Sequence, residues 1–250
     1  AGDHEIIAGG DFTDEDDVIA PSFTIEAGIA VSPTSGTVGS TFTVSGSGFE
    51  ENENDVVILF DGDVAKSAFD AGSDGTFEVT VTVPEAPMGT HDIDAEGDDT
   101  NASDVQDVEF EVEPTLVMEP TSGNVGTQIE VMGTGLPANT SVTVTYDGVT
   151  KGTGTTNSNG TLAGITFAAT HTQSTHTVDH TVAATFDATT LTLTFAMEST
   201  PPPKPIPSTP VNGERIGLVG SQTPTLTWKV VDDPSGVTYG LQISATPDFS

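Results

Sequence analysis

Two stretches of this chain follow one recipe, and that duplication limits the fold more than any other feature. Ser32-Pro33-Thr34-Ser35-Gly36-Thr37-Val38-Gly39-Ser40 reappears 87 residues later as Glu119-Pro120-Thr121-Ser122-Gly123-Asn124-Val125-Gly126-Thr127. Val44-Ser45-Gly46-Ser47-Gly48-Phe49 matches Val131-Met132-Gly133-Thr134-Gly135-Leu136, and Phe60-Asp61-Gly62 matches Tyr146-Asp147-Gly148. Ser73-Asp74-Gly75-Thr76-Phe77 matches Ser158-Asn159-Gly160-Thr161-Leu162. Thr90-His91 aligns with Thr175-His176, and Val108, Phe110 and Val112 align with Leu193, Phe195 and Met197. The offset moves only from 87 to 85, so the two units are expected to share strand order and nearly all loop lengths. Repetition at such a period marks an array of like modules.

The modules read as all-β. Segments such as Thr41-Phe42-Thr43-Val44 and Phe77-Glu78-Val79-Thr80-Val81-Thr82-Val83 alternate apolar and polar residues and end at Gly, Asn, Asp or Pro. Period-two alternation between turn residues is the pattern of half-buried antiparallel strands. Asp-Gly and Asn-Gly pairs supply the positive φ angles of tight hairpin turns. The Pro-Thr-Ser-Gly corner is expected to end a short strand and redirect the chain before the Phe42/Val44 or Ile129/Val131 strand. The apolar residues kept at alternate positions are then the inward faces of tandem immunoglobulin-like β-sandwiches.

The order Pro-Thr-Ser-Gly-x-Val-Gly, then Val-x-Gly-x-Gly-Phe/Leu, then an apolar strand and Asp-Gly, resembles the IPT/TIG family of immunoglobulin-like repeats, twice over residues 29–198. The resemblance implies sandwiches of about 85 residues of the kind used in cell-surface receptors, adhesins, surface-layer proteins and accessory modules of secreted glycosidases. It brings no catalytic motif. The domain plan that follows is an acidic arm with a strand over 1–28, module one over 29–114, module two over 115–198, a proline-rich linker over 199–210, and 211–250. That last segment, with Thr225-Leu226-Thr227-Trp228 and Tyr239-Gly240-Leu241-Gln242-Ile243, resembles the first half of a fibronectin type III domain, in which Trp228 would be the core tryptophan. The arm either packs along its own first module, adds a strand to a neighbouring copy, or is a leader without fixed structure.

Charge narrows the partners. Thirty-eight Asp and Glu face five Lys and Arg, a formal charge of −33. Such a surface repels nucleic acid and anionic lipid headgroups, so no nucleic acid partner and no direct membrane insertion are expected. The load is uneven: 28 acidic residues precede residue 115, six lie in 115–198 and four follow, while Lys66 alone opposes the first group. Adaptation to high salt would acidify both modules alike. Local concentration points instead to cation capture or to a negative surface field. The candidate calcium ligands are Asp61 with Asp63, and the run Asp92, Asp94, Glu96, Asp98 and Asp99; Asp70 with Asp74 is a further pair. Calcium needs six to eight oxygens at about 2.4 Å. The run departs from an EF-hand loop, whose last position would be Ser103. On a strand, Asp92, Asp94 and Glu96 would line one solvent face about 6.6 Å apart.

The remaining constellations point away from catalysis. The chain has no cysteine, hence no disulfide or thiolate site, and no Gly-x-Ser-x-Gly, His-Glu-x-x-His or phosphate loop. His171, His176 and His180 cluster in sequence, but on one strand His176 and His180 would stand about 13 Å apart, too far to share a zinc ion. Sequons begin at Asn101, Asn139 and Asn159, about as many as chance gives in so Ser/Thr-rich a chain. The opening Ala1-Gly2-Asp3 suits a mature product whose signal peptide has been removed. The expectation is a non-enzymatic extracellular structural protein on a bacterium or archaeon. It would be a surface-layer or filament subunit contacting copies of itself, with calcium as the one expected ligand. The alternative is an adhesin or the carbohydrate-binding portion of a larger secreted protein.

Overall fold

A computed structural model describes residues 2–7, 11, 21–170, 178–197, 202–214, 225–233 and 237–244. Alternation in the sequence becomes strands, and the strands form two sandwiches of one design. Module one comprises β3 (Gly28–Ser32), β4 (Ser35–Thr37), β5 (Thr41–Ser47), β6 (Val56–Phe60), β7 (Asp63–Phe69), β8 (Phe77–Thr82), β9 (Gly89–Glu96) and β10 (Val108–Glu113). Module two repeats them as β11 (Thr115–Glu119), β12 (Ser122–Gly123), β13 (Gln128–Thr134), β14 (Ser141–Tyr146), β15 (Val149–Thr155), β16 (Leu162–Ala168), β17 (Val178–Phe186) and β18 (Thr189–Met197). Ahead of them β1 (Gly2–Glu5) pairs antiparallel with β2 (Ser22–Ile25), and after them β19 (Pro207–Thr209) pairs with β20 (Thr227–Trp228).

In module one a three-stranded sheet, β3-β5-β8, faces a five-stranded sheet, β4-β10-β9-β6-β7. Module two has β11-β13-β16 facing β12-β18-β17-β14-β15, strand for strand. The Pro-Thr-Ser-Gly corner does what its sequence suggests. β3 pairs antiparallel with β5, the chain turns at Pro33, and β4 then runs parallel to β10 in the opposite sheet. Pro120 makes the same crossing from β11 to β12, which is parallel to β18. The Ser32–Pro33 and Glu119–Pro120 bonds are both cis.

The layer between the sheets is apolar. Phe42, Val44, Ile58, Ile93, Phe110 and Val112 are buried in module one, and Ile129, Val131, Val144, Val182, Phe195 and Met197 in module two. Burying each such side chain contributes about 1.5–3 kcal/mol, which is how a strand with one apolar face becomes committed to one register. The matching hairpins β6–β7 and β14–β15 turn on Asp61-Gly62 and Asp147-Gly148, with φ near +51°, +83°, +50° and +78°. Both central residues are left-handed, as the two-residue turn that matches strand twist requires.

One alignment made from the sequence fails. Val182 lies opposite Tyr146 as Ile93 lies opposite Phe60, and His180 lies opposite Phe195 as His91 lies opposite Phe110. The partner of His91 is therefore His180, not His176, which with His171 lies outside the described residues. Eighteen positions separate Leu162 from His180 where fourteen separate Phe77 from His91, and four fewer separate His180 from Phe195 than His91 from Phe110. A longer connection before the strand is cancelled by a shorter one after it, so a slip of four residues leaves the outer landmarks in step.

Trp228 is half-buried, with its ring 5.3 Å from Tyr239, beside Pro205, Pro207 and Pro210. Among the described residues it belongs to a two-stranded sheet rather than to a closed core.

Tyr146 carries the one chemical difference between the cores at a matched aromatic position. Burial, aided by the Asp147 carboxylate, pushes its phenol up to about 12. Its hydroxyl has no partner among the described residues. Phe60 fills the same place in module one without a hydroxyl. Tyr146→Phe is therefore expected to stabilise module two by about 1 kcal/mol, since an unmatched buried hydroxyl costs that much; the urea unfolding midpoint measures it, and a lower midpoint would contradict the assignment.

Candidate functional site

Seven of the acidic residues singled out from sequence fall into three groups. Asp61 occupies the β6–β7 turn, and its carboxylate is already engaged: Oδ2 lies 2.7 Å from His91 Nδ1, and Oδ1 accepts from the Asp92 N–H at 3.0 Å. Asp63 begins β7 and is exposed. Asp92, Asp94 and Glu96 point outward from β9, alternating with buried His91, Ile93 and Ala95. Asp98 and Asp99 belong to the loop between β9 and β10, where their N–H groups donate to Asn54 O at 3.2 Å and Glu53 Oε1 at 3.1 Å. Among the described residues no group of three or more His, Asp or Glu side chains is disposed to hold a metal ion. The spacing along a strand keeps alternate carboxylates about 6.6 Å apart.

What the residues do form is an acidic sheet face. Asp92 lies directly opposite Glu109 on β10, and Thr90 lies opposite Glu111, to which its hydroxyl donates at 3.1 Å. Like charges set opposite each other destabilise a sheet, so this face is tolerated because it is wet. Asp94 is the exception. It is partly buried, Asp107 and Glu96 crowd it, and its carboxyl is held above the usual range, chiefly by desolvation and then by those two neighbours, against the bond it accepts from Ala95 N–H at 2.7 Å. Asp74 moves the other way, below the usual range, because the Thr76 hydroxyl and N–H donate to it at 2.7 and 3.2 Å.

Two features were not legible as sites. The first is a pair of buried histidines. His91 is 7 % exposed and stacks on Phe60 at 4.9 Å; His180 is 3 % exposed and stacks on Tyr146 at 5.0 Å. Each is bonded to the aspartate of its Asp-Gly turn, and Asp147 Oδ1 also accepts from Thr181 N–H as Asp61 Oδ1 does from Asp92. The turn aspartate thus serves twice, giving the positive φ and anchoring the neighbouring strand. The repeat of Asp-Gly was the available signal, hidden by the misaligned histidine.

The second feature is Glu53, 1 % exposed and fully bonded. Its carboxylate accepts from Thr100 N–H at 2.7 Å, Thr100 Oγ1–H at 2.8 Å, Glu50 N–H at 3.0 Å and Asp99 N–H at 3.1 Å. Gly97 is required beneath it, since a Cβ there would come within 2.5 Å of Oε1. Glu53 therefore pins the loop 97–107, which module two replaces by the turn Asp187-Ala188. In module two the buried polar brace is Thr156, which ties down the β13–β14 connection: its hydroxyl donates to Pro137 O at 2.6 Å and accepts from Thr140 N–H at 2.9 Å. A cavity beside the pinned loop is lined by Thr24 to Ala27 of the arm and by Thr100 and Val105.

Residues 29–112 match the family model described as IPT/TIG domain, so the first module is an IPT/TIG domain. No curated protein matches the chain. Among solved structures, the D0-D1 domain of intimin shares 15% identity, with 69% of this chain and 95% of that chain covered and a TM-score of 0.26. A tetra-tandem repeat from the extending region of a large adhesion protein shares 18%, covering 73% and 51%, with a TM-score of 0.35. Invasin, a bacterial integrin-binding protein, shares 17%, covering 69% and 39%, with a TM-score of 0.31. The chain thus spans about half of the adhesion-protein repeat and about two fifths of the invasin structure. No helix among the described residues is long and apolar enough to cross a membrane.

Two substitutions examine this electrostatic reading. Asp94 has a folded pKa above its unfolded value, so the stability it contributes is complete below about 3.9 and is lost as pH rises through the folded value. Asp94→Asn is then expected to raise the melting temperature at neutral pH, with the gain vanishing in acid; a uniform gain at both pH values would refute the assignment. Glu53→Gln should cost about 2–3 kcal/mol, because the new amide faces N–H and O–H donors. Hydrogen exchange in residues 97–107 should accelerate well before the module unfolds, and unchanged protection there would show that the loop does not depend on Glu53.

Proposed function

We propose that this chain is a non-enzymatic structural segment of an extracellular protein, its modules serving as spacers in a surface layer or filament built from copies of itself. The observation that carries the reading is the duplicated sandwich, whose matched positions are spent on turns, cores and internal bonds. Both described buried histidines, the residues most suited to proton transfer, serve as braces for Asp-Gly turns. Module one repeats the core of module two but holds a much more acidic surface, which concentrates cations by its field. Divalent cations then act between copies, where two such faces approach each other and repel unless neutralised. The setting is the cell surface of a bacterium or archaeon, in keeping with cysteine-free IPT/TIG modules.

The loop 97–107 favours a second reading, adhesion, because connections at one end of an immunoglobulin-type sandwich are its usual contact surface. The scarcity of exposed aromatic residues weighs against sugar as the ligand: the chain has one Trp and two Tyr, and Tyr146 is buried.

Sedimentation and negative-stain imaging of the purified chain with and without millimolar calcium separate the readings. Sheets or fibres that dissolve on chelation are the expected result. A chain that stays monomeric in both conditions, yet binds a surface glycan or protein through residues 97–107, would transfer the assignment to adhesion.

A further inference from the structure

We infer that the two modules are locked into one rigid rod by a clasp between loops at their junction, with His91 as the positioning residue that shapes it. The covalent link is minimal: β10 ends at Glu113, β11 begins at Thr115, and only Pro114 lies between. One residue reaches about 3.5 Å, which leaves little slack for the modules to part. The turn that opens the β13–β14 connection sits directly on the end of module one. Gly135, at φ +63°, has no room for a side chain, since a Cβ would lie 2.7 Å from Glu113 O and 3.2 Å from Val112 Cγ1.

A second point of contact joins loops distant in sequence. The connection from β8 to β9 carries Pro84-Glu85-Ala86-Pro87-Met88, and Met88 N–H donates across the junction to Leu136 O at 3.2 Å. Beside it Gly160, at φ +70°, lets backbone approach backbone: a Cβ would lie 2.9 Å from Pro87 Cα. The receiving platform is itself braced, because Leu136 is fully buried and its N–H donates to Gly160 O at 3.0 Å. The groove at this joint is walled by Asp61, Asp63, the Pro84–Pro87 backbone and Asn159.

The clasp loop is equally fixed on its own side. Val83 exchanges backbone bonds with Gly39 and Ser40, and Ala86 is buried in the core of module one. His91 completes the support: Nε2 lies 2.8 Å from Pro87 O while Nδ1 holds Asp61, so one buried ring ties the β6–β7 turn to the residue that meets module two. A short link, a glycine seat and a hydrogen-bonded clasp together restrain bending and twisting, whereas two domains joined by a simple linker move relative to each other by default. The rod is a property of one molecule and stands whether or not copies assemble.

The absence of cysteine makes the test direct. Nitroxide labels placed through Thr80→Cys on β8 and Thr194→Cys on β18, both exposed, report the distance between modules in the full chain by pulsed electron resonance, diluted with unlabelled protein to remove contacts between copies. The parent chain should give one narrow distribution. Pro87→Gly, which frees the backbone of the clasp loop, and His91→Asn, which removes the ring that holds both Pro87 O and Asp61, should each widen it about twofold. A broad distribution in the parent chain overturns the inference, as does an unchanged width in Pro87→Gly. If His91→Asn fails to fold, Pro87→Gly, which leaves every core side chain in place, decides the matter.

Discussion

The structure depends on one apolar layer per module, held between two sheets that would each be unstable alone. Phe42 of the three-stranded sheet meets Phe110 of the five-stranded sheet at 4.6 Å between ring centroids, and Phe167 meets Tyr146 in the same way at 5.8 Å in module two. Because the strand period is two, committing Phe42 and Val44 inward sends Thr41, Thr43 and Ser45 to the opposite side. The outward residues are then free of packing duties. That freedom is what allows one module to become strongly acidic while its neighbour, with the same core, does not.

The exceptions to the apolar rule show how tightly it is applied. Glu53, His91, Thr100, Thr156 and His180 are the buried polar side chains among the described residues, and the hydrogen bonds around Glu53, His91 and Thr156 all organise loops. A buried charge survives only when its lone pairs are matched, so Glu53 is found where four donors converge. Glu53, Thr100 and Thr156 lie in connections between strands, while His91 and His180 lie on β9 and β17 and hold the Asp-Gly turns. Polar chemistry here arranges connections, and connections decide how one module meets the next.

Function lives in surfaces grafted on a fold rather than in the fold itself. Two surfaces distinguish module one: the carboxylate face of β9 and β10, and the pinned loop 97–107. The first acts at a distance of about 8–10 Å at physiological salt. The second is a defined shape held by a buried carboxylate.

By itself the sequence determined the class, the alternating strands, the hairpin turns and the corner that ends the first strand of each module. Those rest on short-range rules: alternation, positive φ at Asp-Gly, and the proline corner. It also located the acidic excess and showed that Asp92, Asp94 and Glu96 would share a solvent face. Only the tertiary structure decided which histidine answers His91, because a longer loop before a strand and a shorter one after it cancel in any count of residues. Only the tertiary structure revealed Glu53 as an anchor, since its donors lie 46 and 47 positions away at Asp99 and Thr100, and only it brought Met88 to Leu136. Such contacts are set by where loops converge once the sheets have stacked, and local sequence carries no record of that convergence.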